Sequence, residues 1–185
     1  FRAKYDSKSI GKQEYEYSLL AKECGIEMPE TLLFEGKYFG VERFDRSIRG
    51  KLHVVSIAGL LCADYRIPGI DYLHILQVCA ELTHSIAELW KIYRLMVFNY
   101  LIGNKDDHAK NFSFIYRDED WHFAPAYDIL PSNGMYGFHT TSINDSITPT
   151  KEDLIAVATK AGLPSKEAEA IFNQIHTILK SKHQV

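Results

Sequence analysis

Apolar residues recur at three- and four-residue steps along much of this chain, and those steps predict its helices. Between residues 9 and 23, Tyr15, Leu19 and Leu20 share one face, with Glu14 and Lys22 around it. Gly25 should end that helix, and Pro29 reinforces the stop. Two apolar runs follow at residues 31–34 and 38–44, separated by Glu35-Gly36-Lys37, the pattern of a β-hairpin. Residues 1–5 are short, mixed and aromatic, as in a strand. Residues 47–72 carry Gly50, Gly59, Pro68 and Gly69 and predict irregular backbone. The helical rhythm returns over residues 73–101, as one helix or as two broken near His84. Residues 112–116 and 121–124 flank Arg117-Asp118-Glu119-Asp120 as a second hairpin. Two tail helices should follow Thr150 and Ser165, whose hydroxyls can cap a first turn.

The elements predict an α+β chain: a strand-containing front portion with one helix, then a mainly helical remainder. With 185 residues, 46% of them hydrophobic, the chain can bury one core or build two small lobes of one unit. A boundary near residue 46 gives 1–46 and 47–185. A net charge of −3 argues against general nucleic-acid binding or a membrane surface. No run of about 18 apolar residues occurs, so a spanning helix is not expected. Cys24, Cys62 and Cys79 lack metal-type spacing and suit reduced thiols of a cytoplasmic protein. The chain opens at Phe1 without methionine or signal-peptide pattern, and we expect a portion of a longer protein.

The densest polar cluster is Gly103-Asn104-Lys105-Asp106-Asp107-His108-Ala109-Lys110-Asn111, between an apolar helix and a strand-like run. A loop so held by rigid neighbours suits a reactive site. Asp106 and Asn111 have the spacing Asp-x-x-x-x-Asn of a kinase catalytic loop, and Asp128 follows the second hairpin. Phosphoryl transfer needs a carboxylate beside the substrate hydroxyl, which Asp106 can supply. It also needs hard oxygen ligands for Mg²⁺, which Asn111 and Asp128 can supply. The spacing alone is weak. Its value lies in company: Lys4 on the first strand, Glu14 on the following helix, and residues 42–46 where two lobes would join. Lysine, glutamate, hinge, Asp, Asn, Asp is the order of parts in a kinase.

These residues resemble the HipA-like serine/threonine kinases of bacterial toxin–antitoxin systems. The landmarks are Lys4, residues 19–29, Val41-Glu42-Arg43-Phe44-Asp45-Arg46, residues 101–114 and residues 124–129. The likeness spreads over residues 1–130, with a weaker helical tail. It implies a protein-kinase-like fold: a truncated front lobe, a nucleotide cleft hinged at residues 42–46, and a helical back lobe. It implies ATP and Mg²⁺ as cofactors, Asp106 as catalytic base, and Lys4 on the phosphates with Glu14 steadying it. Glu42, Arg43 and Phe44 would meet adenine. His108, Lys110, Asn111 and Tyr127 would help hold nucleotide, with Asn111 and Asp128 on the metal. The implied partners are a protein substrate such as an aminoacyl-tRNA synthetase, and a small DNA-binding antitoxin. The family's phosphate-gripping loop precedes the strand lysine, and only three residues precede Lys4 here. These 185 residues alone should therefore bind ATP poorly and transfer phosphate slowly or not at all.

Two other functions compete. A catalytically silent module could keep the fold as a platform for an antitoxin or regulator, although Asp106, Asn111 and Asp128 are all present. A metal-dependent phosphohydrolase could use Asp106, Asp107 and His108, but leaves Lys4 and the hinge without a role. Because only Asp106 has the spacing to Asn111, Asp107→Asn should be milder than Asp106→Asn.

Overall fold

The computed structural model describes residues 9–48, 50–64, 69–134 and 137–182; Lys4 and the strand expected at residues 1–5 lie outside them. The first helix, α1 (Ile10–Glu23), buries Gly11, Ser18, Leu20 and Ala21. It ends as expected, with Gly25 at φ 76° and the Ile26 amide donating to the Ala21 carbonyl at 3.0 Å. Strands β1 (Thr31–Phe34) and β2 (Tyr38–Val41) pair antiparallel from Thr31↔Val41 to Phe34↔Tyr38. Glu35 and Gly36 both take positive φ, as so tight a turn requires. The hairpin lies hard against α1: a Cβ at Gly11 would sit 2.3 Å from the Lys37 carbonyl oxygen.

The segment expected to be irregular contains short elements instead: β3 (Arg46–Ser47), β4 (Gly50–Lys51), β5 (His53–Ser56) and α2 (Ile57–Leu60). Helices α3 (Tyr72–Thr83) and α4 (Ile86–Ile102) follow. His84 at φ 49° separates them, which resolves the open question of one helix or two. The second hairpin, β6 (Ser113–Arg117) and β7 (Asp120–Phe123), gains a third strand, because β5 pairs antiparallel with β6 through His53↔Tyr116 to Ser56↔Ser113. The chain closes with α5 (Lys151–Lys160) and α6 (Ser165–Ser181). Thr150 caps α5 in a capping box with Asp153, whereas Ser165 is already helical and Pro164 holds the cap position of α6.

α4 is apolar almost all round because it is enclosed almost all round, burying Leu89, Ile92, Tyr93, Leu95, Met96, Val97 and Phe98. Tyr72 and Ile75 of α3, Phe114 of β6, Leu154 of α5 and Ile175 of α6 join the same cluster, and so do Leu20, Ala21, Cys24 and Ile26 from the front of the chain. All three cysteines are free thiols; burial pushes Cys24 up to about 11 and Cys79 up to about 12. No described helix is long and apolar enough to cross a membrane.

Candidate active site

The polar loop begins where α4 stops at Gly103, which adopts φ 69°. The Asn104 side-chain amide donates to Asn99 Oδ1 at 3.1 Å, and Asn99 Nδ2 donates to the Tyr72 hydroxyl at 3.1 Å. Ser132 Oγ accepts from the backbone amides of Lys105 and Asp106 at 3.1 and 2.8 Å. On the far side, the Asn111 amide nitrogen donates to the Asp106 carbonyl at 3.0 Å, closing the loop on itself. That bond uses the nitrogen of Asn111 and turns its oxygen toward other chemistry. Asp106 titrates above the ordinary aspartate range. Partial desolvation of this otherwise exposed side chain is the main cause, the charges of Asp128 and Asp107 add to it, and His108 opposes it.

Asp128 sits just beyond β7 with φ 57°, a left-handed backbone rarely adopted by residues other than glycine and asparagine or aspartate. The segment leading to it is held from both halves of the chain. The Ala126 amide donates to the Glu27 carbonyl at 2.8 Å. The Tyr127 hydroxyl donates to the Lys110 carbonyl and meets Ser113 Oγ, both at 2.6 Å. Burial pushes the Tyr127 phenol up, and the Asp128 charge adds to this. A cavity of about 280 Å³ opens beside this segment, lined by Glu14, Met28, Phe39, Val41, Tyr127 and Asp128 among others. Glu14 of α1 and Asp128 therefore face one space.

At the expected hinge, Phe44 stacks on Tyr127 with ring centroids 5.8 Å apart. The Glu42 amide is taken up by the Glu30 carbonyl at 2.8 Å, so an adenine edge would have to meet other backbone groups there. Arg43 grips Asp45 through Nε and Nη2 at 2.9 and 2.7 Å, and this contact holds the half-buried Asp45 carboxyl below its usual range. Glu14, Tyr127 and Asp128 thus line one cavity and Phe44 stacks on Tyr127, while Asn111 is bonded to Asp106, whose carboxyl feels Asp128 and His108; Lys110 contributes its carbonyl to Tyr127.

The kinase reading of the sequence gave Asp107 no role, and only the competing hydrolase reading used it; the residue is fully buried. Its Oδ1 accepts from the amides of Thr140 and Thr141 at 3.0 and 3.2 Å; its Oδ2 meets the Tyr72 hydroxyl at 3.1 Å and His139 Nδ1 at 3.0 Å. No local signal told the two aspartates apart, because the groups that enclose Asp107 lie far along the chain. Sequence reasoning also missed Glu88, whose buried carboxylate accepts from the Phe123 amide and from Lys91 Nζ, each at 2.9 Å. Lys91 also reaches Glu27 at 2.9 Å, joining the front of the chain to the strand that leads to Asp128.

Comparison with known proteins shows the family and the fold. The family described as the HipA-like C-terminal domain matches residues 2–182. A Sinorhizobium fredii protein provisionally named kinase Y4dM is 29% identical over 181 residues, covering 85% of this chain and 44% of that protein. A Haemophilus influenzae protein provisionally named a kinase is 28% identical over 141 residues, 65% of this chain and 41% of that protein. Among solved structures, HipA of Shewanella oneidensis, determined with HipB and operator DNA, superposes with a TM-score of 0.79 at 21% identity, covering 98% of this chain and 51% of that one. The Helicobacter pylori proinflammatory kinase CtkA gives 0.57 at 14% identity, covering 96% and 84%. The chain spans about half the length, or less, of the curated relatives it matches.

Proposed function

From the premise that this chain belongs to the HipA-like C-terminal domain family, we propose that it carries the catalytic half of an ATP-dependent serine/threonine protein kinase. The observation that carries the reading is the shared electrostatics of Asp106 and Asp128 around a loop closed by Asn111. The Asp128 charge opposes ionisation of Asp106, and the Asp128 carboxylate with the Asn111 amide oxygen forms a hard-oxygen donor set that suits Mg²⁺. Asn111 and Asp128 would hold that ion, and bound there it would neutralise charge on the transferred phosphate. Asp106 orients the substrate hydroxyl and accepts its proton. Its raised pKa makes it a better proton acceptor than an exposed aspartate.

In this reading adenine enters the cavity between β2 and the segment 126–130, against Phe39, Val41 and Tyr127. Backbone groups of residues 42–44 other than the Glu42 amide meet its edge. Lys4 reaches the phosphates and Glu14 steadies it, while His108 and Lys110 flank the catalytic loop. The two regions of the chain, 1–46 and 47–185, act as partial front lobe and back lobe. The hydrolase alternative loses ground because Asp107 is enclosed and its oxygens are engaged by protein donors. The HipB and operator DNA of the Shewanella complex support a small DNA-binding antitoxin as partner, in a cytoplasmic setting. An aminoacyl-tRNA synthetase is the proposed substrate class.

The test is phosphoryl transfer from radiolabelled ATP by the complete natural chain, with Asp106→Asn and Asp128→Asn beside it. Transfer by the wild type that falls at least about a hundredfold in both variants is expected. Equal signal from wild type and Asp106→Asn would remove Asp106 from its role. Mg²⁺-dependent nucleotide binding without transfer would favour the silent binding module.

A further inference from the structure

The segment after Asp128 returns to the catalytic loop and is fastened to it at Ser132 and again at residues 139–141, where three of its groups meet the Asp107 side chain. Asp107 is fully buried. A carboxylate is tolerated there only because donors surround it. Those donors come from two parts of the fold: the consecutive residues His139, Thr140 and Thr141, through Nδ1 and two amides, and the Tyr72 hydroxyl at the start of α3. The Thr141 hydroxyl donates to the Asp107 carbonyl, and Thr140 bonds the Lys105 carbonyl through both its amide at 3.1 Å and its hydroxyl at 3.0 Å. His139 is stacked on Tyr100 of α4 with ring centroids 6.5 Å apart, so the donor is itself fixed. Asp106, between these clamped neighbours, has its own amide held by Ser132 Oγ.

We propose that Asp107 is a positioning residue, which locks residues 139–141 onto the catalytic loop and thereby fixes the direction of the Asp106 carboxylate. The inference rests on the kinase reading for its catalytic consequence, but its structural part stands independently. Asparagine at position 107 keeps one oxygen for the two amides. It turns an NH₂ toward Tyr72, whose hydroxyl already accepts from Asn99, and toward His139. The lock should loosen without being abolished. A displacement of the order of 1 Å at the reacting carboxylate is enough to cost about a hundredfold in rate.

The experiment compares wild type, Asp107→Asn, Tyr72→Phe and Asp106→Asn in the complete natural chain. It reads residue-resolved amide hydrogen exchange together with kcat and the KM for ATP. Asp107→Asn should accelerate exchange at Thr140 and Thr141 by about tenfold or more and lower kcat about 10- to 100-fold, with KM for ATP changed less than about threefold. Tyr72→Phe, which removes one donor and leaves the loop sequence intact, should shift exchange and kcat in the same direction by less; it decides the matter if Asp107→Asn does not fold. Unchanged exchange at residues 140–141 in the folded variants overturns the lock. Faster exchange with unchanged kcat overturns the positioning role. Should wild type transfer no phosphate, the kinase reading fails and the exchange measurement alone decides the lock.

Discussion

Replacing Glu88 tests how the front of the chain is tied to the strand that delivers Asp128. The carboxylate is buried, accepts from the Phe123 amide and Lys91 Nζ at 2.9 Å each, and lies 3.4 Å from His122 Nδ1. Alanine leaves the buried Phe123 amide without its acceptor, at a cost of about 1–3 kcal/mol. Lys91 keeps Glu27 and is partly solvated, so losing Glu88 costs it up to about 1 kcal/mol. The total of about 1–4 kcal/mol corresponds to a melting temperature lower by roughly 2–16 °C for a chain of this size. Glutamine retains an oxygen for Phe123 and should cost about 1 kcal/mol.

The pH dependence of that gap has a definite sign. Burial pushes the Glu88 carboxyl up, but hydrogen bonds from Lys91 and Phe123, with help from His122, outweigh it and leave it below its ordinary value. A carboxyl depressed in the folded state stabilises fully above its unfolded pKa, about 4.3, and loses that contribution as pH falls through the folded value. The difference between wild type and Glu88→Gln should therefore be constant near pH 7 and shrink as pH drops through and below about 4. Urea titrations at several pH values measure it. Glutamine as damaging as alanine, or a gap that widens on acidification, would refute the reasoning.

Two further outcomes follow from the same geometry. Gly11→Ala puts a methyl 2.3 Å from the Lys37 carbonyl oxygen and 3.0 Å from the Phe39 amide nitrogen, so the helix and hairpin must separate. Overpacking of this kind costs about 1–3 kcal/mol, and a thermal melt indistinguishable from wild type would show that the contact is looser than described. Asp106→Asn should raise the melting temperature at pH 7 while abolishing transfer, because the carboxyl is raised in the fold and its ionised form opposes folding. That opposition disappears as pH falls below the unfolded aspartate pKa of about 3.9, where both states are protonated. The stabilising effect should thus fade on acidification, and a lower melting temperature at neutral pH would count against a desolvated, repelled Asp106.

Local pattern made the longer helices and both main hairpins legible, though not α2, because the hydrophobic period and the glycine stops act over a few residues. Gly25, Gly36 and Gly103 each stand where the backbone turns left-handed. β5 was not legible: His53-Val54-Val55-Ser56 is too short to announce a strand, and only pairing with β6 makes it one. The cap of α6 shifted to Pro164 because either residue satisfies local chemistry and the tertiary entry angle chooses.

The candidate site divides along the same physical line. Residue identity and order along the chain supplied the chemistry: a carboxylate and an amide at loop spacing, and a later carboxylate after a hairpin. Whether Asp106 or Asp107 faces outward is decided by which carboxylate finds buried donors, and those donors, Tyr72, His139 and the Thr140 and Thr141 amides, lie more than thirty residues away in either direction. The Glu27–Lys91–Glu88 chain depends likewise on segments that meet only after the core has formed. Sequence order states which groups exist; long-range closure, which no local window contains, decides which of them are sealed in the interior and which are left to react.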